Sequence, residues 1–178
     1  MASSAKFALL LLASLLASST TTQAMKSKLT RIQFYMHDIV SGPDPTAILV
    51  AQPRNLSNPI AASLGFGNTV VIDNRLTATP DVNSTLIGRA QGIYVFTSKQ
   101  DEMSALMTLT YVMVSGPYNG STLSIVARNP VTQLGIREMP IVGGTGMFRM
   151  ARGYSEALTY STSGMDAVVG YNVTVYHY

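Results

Sequence analysis

The chain contains no cysteine, no tryptophan and only two histidines in 178 residues. Without thiols there is no disulfide framework and no thiolate nucleophile, so stability has to come from burial, strand pairing and oligomerisation. The histidines, His37 and His177, form no HxH or HExxH spacing. That argues against zinc or another metal and leaves them as surface or strand-packing residues. Charge is sparse too: 12 Lys and Arg against 9 Asp and Glu, scattered singly. The net charge of +3 therefore reflects few ions of either sign, with no basic face for a phosphate backbone, and nucleic acid is not an expected partner. A Gly-x-Ser-x-Gly elbow is missing. Gly143-Gly144-Thr145-Gly146 lacks the third glycine of a dinucleotide fingerprint and precedes a strand pattern, so its expected task is turning the chain.

Long apolar runs are confined to the start. Lys6, the apolar segment Phe7 to Ala17 and Thr22-Gln23-Ala24 have the order of a secretory signal with its cleavage site. The expected organisation is a signal peptide over residues 1–24 and one domain over 25–178, secreted and with no membrane span. Four Asn-x-Ser/Thr sequons follow, at Asn55, Asn83, Asn119 and Asn172. The first three lie in turn-like sequence. Asn172 lies in a strand pattern and needs an outward face to carry a sugar.

What is present is alternation. Ile32, Phe34, Met36 and Asp38 share one parity, with Arg31, Gln33, Tyr35 and His37 on the other. Asp38 thus ends an apolar row, an unexpected position for a carboxylate unless it faces a cavity. Further strands are expected at Thr46 to Gln52, Phe66 to Asp73, Ile87 to Thr97, Met103 to Val114, Ser121 to Ala127 and Ala167 to Tyr178, with irregular loops at Pro53 to Gly65 and Arg75 to Asn83. Between Arg137 and Tyr160 the three glycines separate two strands, and Phe148, Met150, Arg152, Tyr154, Glu156 and Leu158 share a parity that would send Arg152 and Glu156 to one surface. No mature helix is expected. Short strands at this spacing indicate an antiparallel all-β sandwich or barrel.

Four stretches, FYMHDIV (34–40), LIGRAQGIY (86–94), REMPIVGGTGMFRMARGYSEALTY (137–160) and YNVTVYHY (171–178), closely resemble the plant dirigent family, in the family's order. The resemblance covers essentially all of the chain after residue 30. It implies an eight-stranded antiparallel β-barrel with a pocket at one end, usually assembled as a homotrimer and located in the apoplast. Many lignan-forming members carry a disulfide, so a cysteine-free chain resembles the branch that includes pterocarpan synthases.

By the same resemblance, Asp38 and Glu138 match positions where carboxylates line the pocket, although the family commonly has Asp at the Glu138 position. Arg89 and Arg152 match basic positions, and Tyr94 and Tyr154 are candidate phenolic partners. Arg152 has an equally weighted structural alternative, an ion pair with Glu156 or Glu138. Dirigents handle quinone methides, and a carboxylic acid whose pKa is raised by apolar surroundings can protonate a quinone-methide oxygen or a leaving hydroxyl. No cofactor is required by that chemistry. Three activities fit: a guide for stereoselective coupling of phenolic radicals supplied by a laccase or peroxidase, as in lignan formation from coniferyl alcohol; an isoflavanol dehydratase closing a pterocarpan ring; or a defence-related binder of phenolics or sugars.

Overall fold

The computed structural model describes residues 26–100 and 102–178, so the expected signal peptide lies outside the described residues. Nine strands run in chain order: β1 (Lys28–Asp38), β2 (Ala47–Ala51), β3 (Thr69–Thr77), β4 (Leu86–Phe96), β5 (Ser104–Met113), β6 (Thr122–Pro130), β7 (Arg137–Thr145), β8 (Arg152–Ser163) and β9 (Asp166–His177). Every pairing is antiparallel. Strands β3 to β9 follow each other around the wall, β9 pairs with β1, and β1 returns to β3, which closes a barrel of eight strands with β2 beside it. Closure removes the free edges that would otherwise invite pairing with other chains.

The closing seam is shared. Strand β1 holds the second half of β3, through Tyr35↔Thr77, Met36↔Leu76 and His37↔Arg75, while β2 holds the first half, from Ala47↔Ile72 to Ala51↔Thr69. The chain must therefore leave β3 at His37 and rejoin it at Ala47, which opens a fork in the wall beside Asp38.

Inward residues follow the period of two. Phe34 and Met36 from β1, Val70, Ile72 and Leu76 from β3, Met107 to Met113 in alternation from β5, and Val169, Tyr171, Val173 and Val175 from β9 form one buried cluster. Phe34, Tyr111 and Tyr171 meet at its middle, with ring centroids 4.9 to 5.8 Å apart.

The two ends differ. At one, the single-turn segments Gly116–Tyr118 and Gly146–Phe148 bring Tyr118 and Phe148 to a centroid distance of 5.0 Å, Phe148 packs on the His177 ring, and Thr30 Oγ1 lies 2.9 Å from His177 Nε2. Phe148 and His177 are fully enclosed, so this end is a plug. Inward residues at the other end, Asp38, Tyr94, Phe96 and Ala167, stay partly exposed, and this end is the mouth.

Three details depart from the sequence expectations. One helix, α1 (Pro59–Ser63), interrupts the loop expected to be irregular; the Asn58 side chain accepts from the backbone N–H of Ile60 and Ala61, and Pro59 supplies a ready helical φ. Strand β3 runs to Thr77 rather than ending at Asp73, because pairing with β1 extends it. The parity inferred across residues 148–158 fails. Gly146 (φ 61°) and Met150 (φ 61°) take left-handed conformations in the connection, so Phe148 turns into the plug while Met150 faces outward.

Candidate functional site

Asp38 is the sole carboxylate among the described residues that faces the barrel interior, and the fork places it. Behind it, Asn74 on β3 is completely buried and donates from Nδ2 to Asp38 Oδ1 at 2.9 Å. Asn74 Oδ1 in turn accepts from the Thr46 hydroxyl at 2.6 Å, which stitches the fork shut. On the mouth side, the Tyr94 hydroxyl from β4 stands 3.5 Å from Asp38 Oδ2. Burial pushes the Asp38 carboxyl above the ordinary range; the Asn74 and Tyr94 hydrogen bonds pull back, and nearby Asp166 adds to the rise. Burial and the Asp38 charge together hold the Tyr94 phenol strongly in its neutral form.

Tyr171, pushed up to about 12 chiefly by burial and lowered in part by Arg137, lies within the electrostatic reach of both Asp38 and Arg137. Arg137 is the residue the sequence reading passed over. It points inward from the start of β7, only 5% exposed, donates to Thr159 Oγ1 at 2.9 Å, and leaves Nε without a protein partner. Asn129 on β6 is also buried at this end, its Oδ1 unpartnered. The signal for Arg137 was the alternation Arg137, Met139, Ile141, which shares one face. For Asn74 it was a lone amide in the row Val70, Ile72, Leu76.

The loop after Asp38 is pinned by the adjacent strand, where Ala167 of β9 pairs with Asp38. Asp166, at the β8–β9 hairpin, accepts from the backbone N–H of Val40 at 2.8 Å and of Ser41 at 2.9 Å, and from the Ser41 hydroxyl.

Of the residues expected in the site, Asp38 and Tyr94 meet in the mouth and the other four do not. Glu138 is exposed on the outer face, because the parity that buries Met139 and Ile141 turns its neighbour outward. It sits directly opposite Glu156 of β8. Arg89 is also outside, paired with Asp73 at 2.5 Å. Its neighbours Gly88 and Ala90 take the inward positions of β4. Arg152 is exposed and donates to the backbone carbonyls of Val142 at 2.5 Å and Ala151 at 2.9 Å; it pairs with neither Glu156 nor Glu138. Tyr154 shares that outer face. The side chains of Asn55, Asn83, Asn119 and Asn172 are all exposed, and Asn172 Oδ1 accepts from Gln33 Nε2 at 2.6 Å. His37 and His177 are both buried strand-packing residues, bonded to Thr77 and Thr30.

A closed antiparallel barrel is plugged at one end and at the other gathers a half-buried acid, phenols and a buried arginine, polar groups of the kind that recognise a small organic molecule. The chain belongs to the dirigent family: residues 29–176 match the family profile described as Dirigent-like protein. Pterocarpan synthase 1 of Glycyrrhiza echinata is 46% identical over 164 residues, covering 90% of this chain and 85% of the relative. Dirigent protein 1 of Arabidopsis thaliana is 44% identical over 172 residues, covering 95% and 92%. A solved structure of a pterocarpan synthase dirigent protein superposes with a TM-score of 0.79 at 46% identity, over 88% of each chain.

Proposed function

We propose that the protein removes water from a phenolic benzylic alcohol of the isoflavanol type and closes a ring through a quinone methide, the pterocarpan synthase reaction. The observation that carries this reading is Asp38, a half-buried carboxyl biased toward its protonated form at the mouth of the barrel, beside the apolar row of Phe34 and Met36. Asp38 gives its proton to the benzylic hydroxyl, the C–O bond breaks, and water leaves. The substrate's phenolic proton is released as the quinone methide forms, and Asp38 takes up a proton again. A hydroxyl of the same substrate then adds to the methide carbon, and its proton ends on the quinone-methide oxygen. Arg137 and Tyr94 supply polar groups for the substrate oxygens, and the part-exposed rings of Tyr94 and Phe96 at the mouth take the flat ring faces.

A second reading is a stereochemical guide for coupling of phenolic radicals that a laccase or peroxidase generates, such as lignan formation. It is supported by the comparable match to Arabidopsis dirigent protein 1. In either case the protein is read as secreted to the apoplast after loss of residues 1–24, glycosylated at exposed sequons, and assembled as a homotrimer. No helix among the described residues is long and apolar enough to cross a membrane.

The test is a substrate panel read by chiral chromatography: isoflavanols alone, against coniferyl alcohol with laccase. Ring closure from the isoflavanol alone, lost by about a hundredfold or more in a folded Asp38→Asn variant, supports the dehydratase. A changed product hand only when oxidant is present selects the guide. Undiminished turnover in Asp38→Asn rejects the acid assignment.

A further inference from the structure

We propose that Thr46 and Asn74 are positioning residues that decide which oxygen of Asp38 carries the proton, keeping Oδ1 an acceptor and leaving Oδ2 as the acid. The inference rests on the reading of Asp38 as the proton donor. Its basis is the direction of each hydrogen bond in the fork.

Thr46 has a single hydroxyl proton and two acceptors in reach, Asn74 Oδ1 at 2.6 Å and the His37 carbonyl at 3.4 Å. The shorter contact takes it. The same hydroxyl oxygen accepts from the Ile39 N–H at 3.3 Å, so both roles of Thr46 are assigned. With its carbonyl oxygen engaged by Thr46, the Asn74 amide must present Nδ2 to Asp38, and it does so at 2.9 Å from Oδ1. An oxygen that already accepts from an N–H in that direction is a poor place for a proton. The acid proton is thereby directed to Oδ2, whose protein neighbour is the Tyr94 hydroxyl at 3.5 Å, distant enough to yield to a substrate oxygen.

Among the described residues, no other group donates to Asp38 Oδ1. Tyr94 from β4 approaches only Oδ2, Tyr171 from β9 is held neutral by burial, and Arg137 from β7 donates to the Val131 carbonyl and to Thr159. Asp166 spends its oxygens on Val40 and Ser41. Asn74, neutral and wholly enclosed, is the residue of β3 that touches the carboxyl. Thr46 closes the same fork that lets β1 and β2 share one edge of β3, because Asp73 N–H donates to the Thr46 carbonyl at 2.9 Å.

Removing the Thr46 hydroxyl frees the amide to turn and offer Oδ1 to Asp38. A carboxyl facing a carbonyl oxygen holds its proton more tightly, and holds it on the wrong oxygen. Two observables then move in opposite senses. In the full-length protein, Thr46→Val should raise the titration midpoint of Asp38, read by carbonyl 13C resonances of Asp-labelled protein. At the same time it should lower kcat about tenfold with KM changed less than about twofold. Thr46→Ser, which keeps the hydroxyl, should behave as the unmodified protein. If Thr46→Val fails to fold, Thr46→Ala reads the same effect without a branched methyl. An Asp38 titration coinciding with that of the unmodified protein in a folded Thr46→Val or Thr46→Ala variant overturns the proposal. Asp38→Asn separates the two levels: if that variant keeps full turnover the acid assignment itself fails, whereas the titration arm still decides whether Thr46 orients the amide.

Discussion

Asp38 is kept where its charged form is penalised, and that penalty is visible in stability as well as in chemistry. Burial raises its folded pKa above the unfolded value, so protonation favours the fold. That contribution is complete below the unfolded carboxylate pKa and is lost as pH rises through the folded one. At neutral pH the site therefore opposes the fold it sits in. Asp38→Asn removes the ionisation while preserving shape, and should raise the melting temperature at pH 7 by about 2–4 °C even as turnover collapses. Near pH 3 the melting difference should vanish, and a thermal scan at both pH values checks this. Glu138 supplies the contrast. It faces solvent directly opposite Glu156, where like charges repel across the ladder. Glu138→Gln should leave turnover within about twofold and stabilise the barrel by about 0.2–0.5 kcal/mol in a denaturant titration.

At the level of strands, the seam between β1 and β3 is three residue pairs long and contains a titratable group. His37 lies on the outer parity of β1 yet is only 3% exposed, with Nε2 2.6 Å from Thr77 Oγ1. Burial first, then the Arg75 charge, hold its pKa below the ordinary value, with Asp81 opposing in part. The folded state keeps His37 neutral, so its contribution is present above the unfolded value of about 6.5 and is lost as pH falls. His37→Gln retains a polar partner for Thr77 without titrating. Between about pH 7.5 and 5.5 the unmodified protein should lose about 2–4 °C more in melting temperature than this variant; the Asp38 effect is common to both and cancels. The strands themselves were largely legible in the sequence, because period-two alternation survives wherever one face is buried and the other is wet. Asp38 could be placed for the same reason: it continues the row of Phe34 and Met36. Legibility failed where the chain changes phase. The left-handed residues around the 3-10 turn after β7 break the parity expected to carry Phe148 into Arg152. Arg89 and Glu138 were assigned by family position, and each is one residue out of register with the inward face. Arg137 was hidden by its type, since an arginine reads as surface until the inward face of its strand is known.

For the molecule as a whole, the outer wall is not uniformly polar, and its apolar part is organised. Ile48, Val71, Ile93, Thr108 and Val126 are mutual neighbours in register from β2 to β6, so a single row crosses five strands. Ile48 is 54% exposed and Val71 and Val126 are each 44% exposed, with Leu106 close by on β5. Isolated exposed apolar residues need no explanation, but a contiguous row on a closed barrel is the kind of surface that association covers. A cysteine-free chain has particular use for that burial, which stabilises at about 25 cal/mol per Å² removed from water. We therefore assign the proposed trimer contact to this row. Ile93→Lys puts a charge at its centre without touching the interior, where Ala90 and Tyr94 face the other way. Sedimentation should show the unmodified protein as a trimer and Ile93→Lys as a monomer with an unchanged circular dichroism spectrum and a lower melting temperature. A trimer that survives Ile93→Lys would move the contact to another face, and a monomeric unmodified protein would remove the assembly altogether.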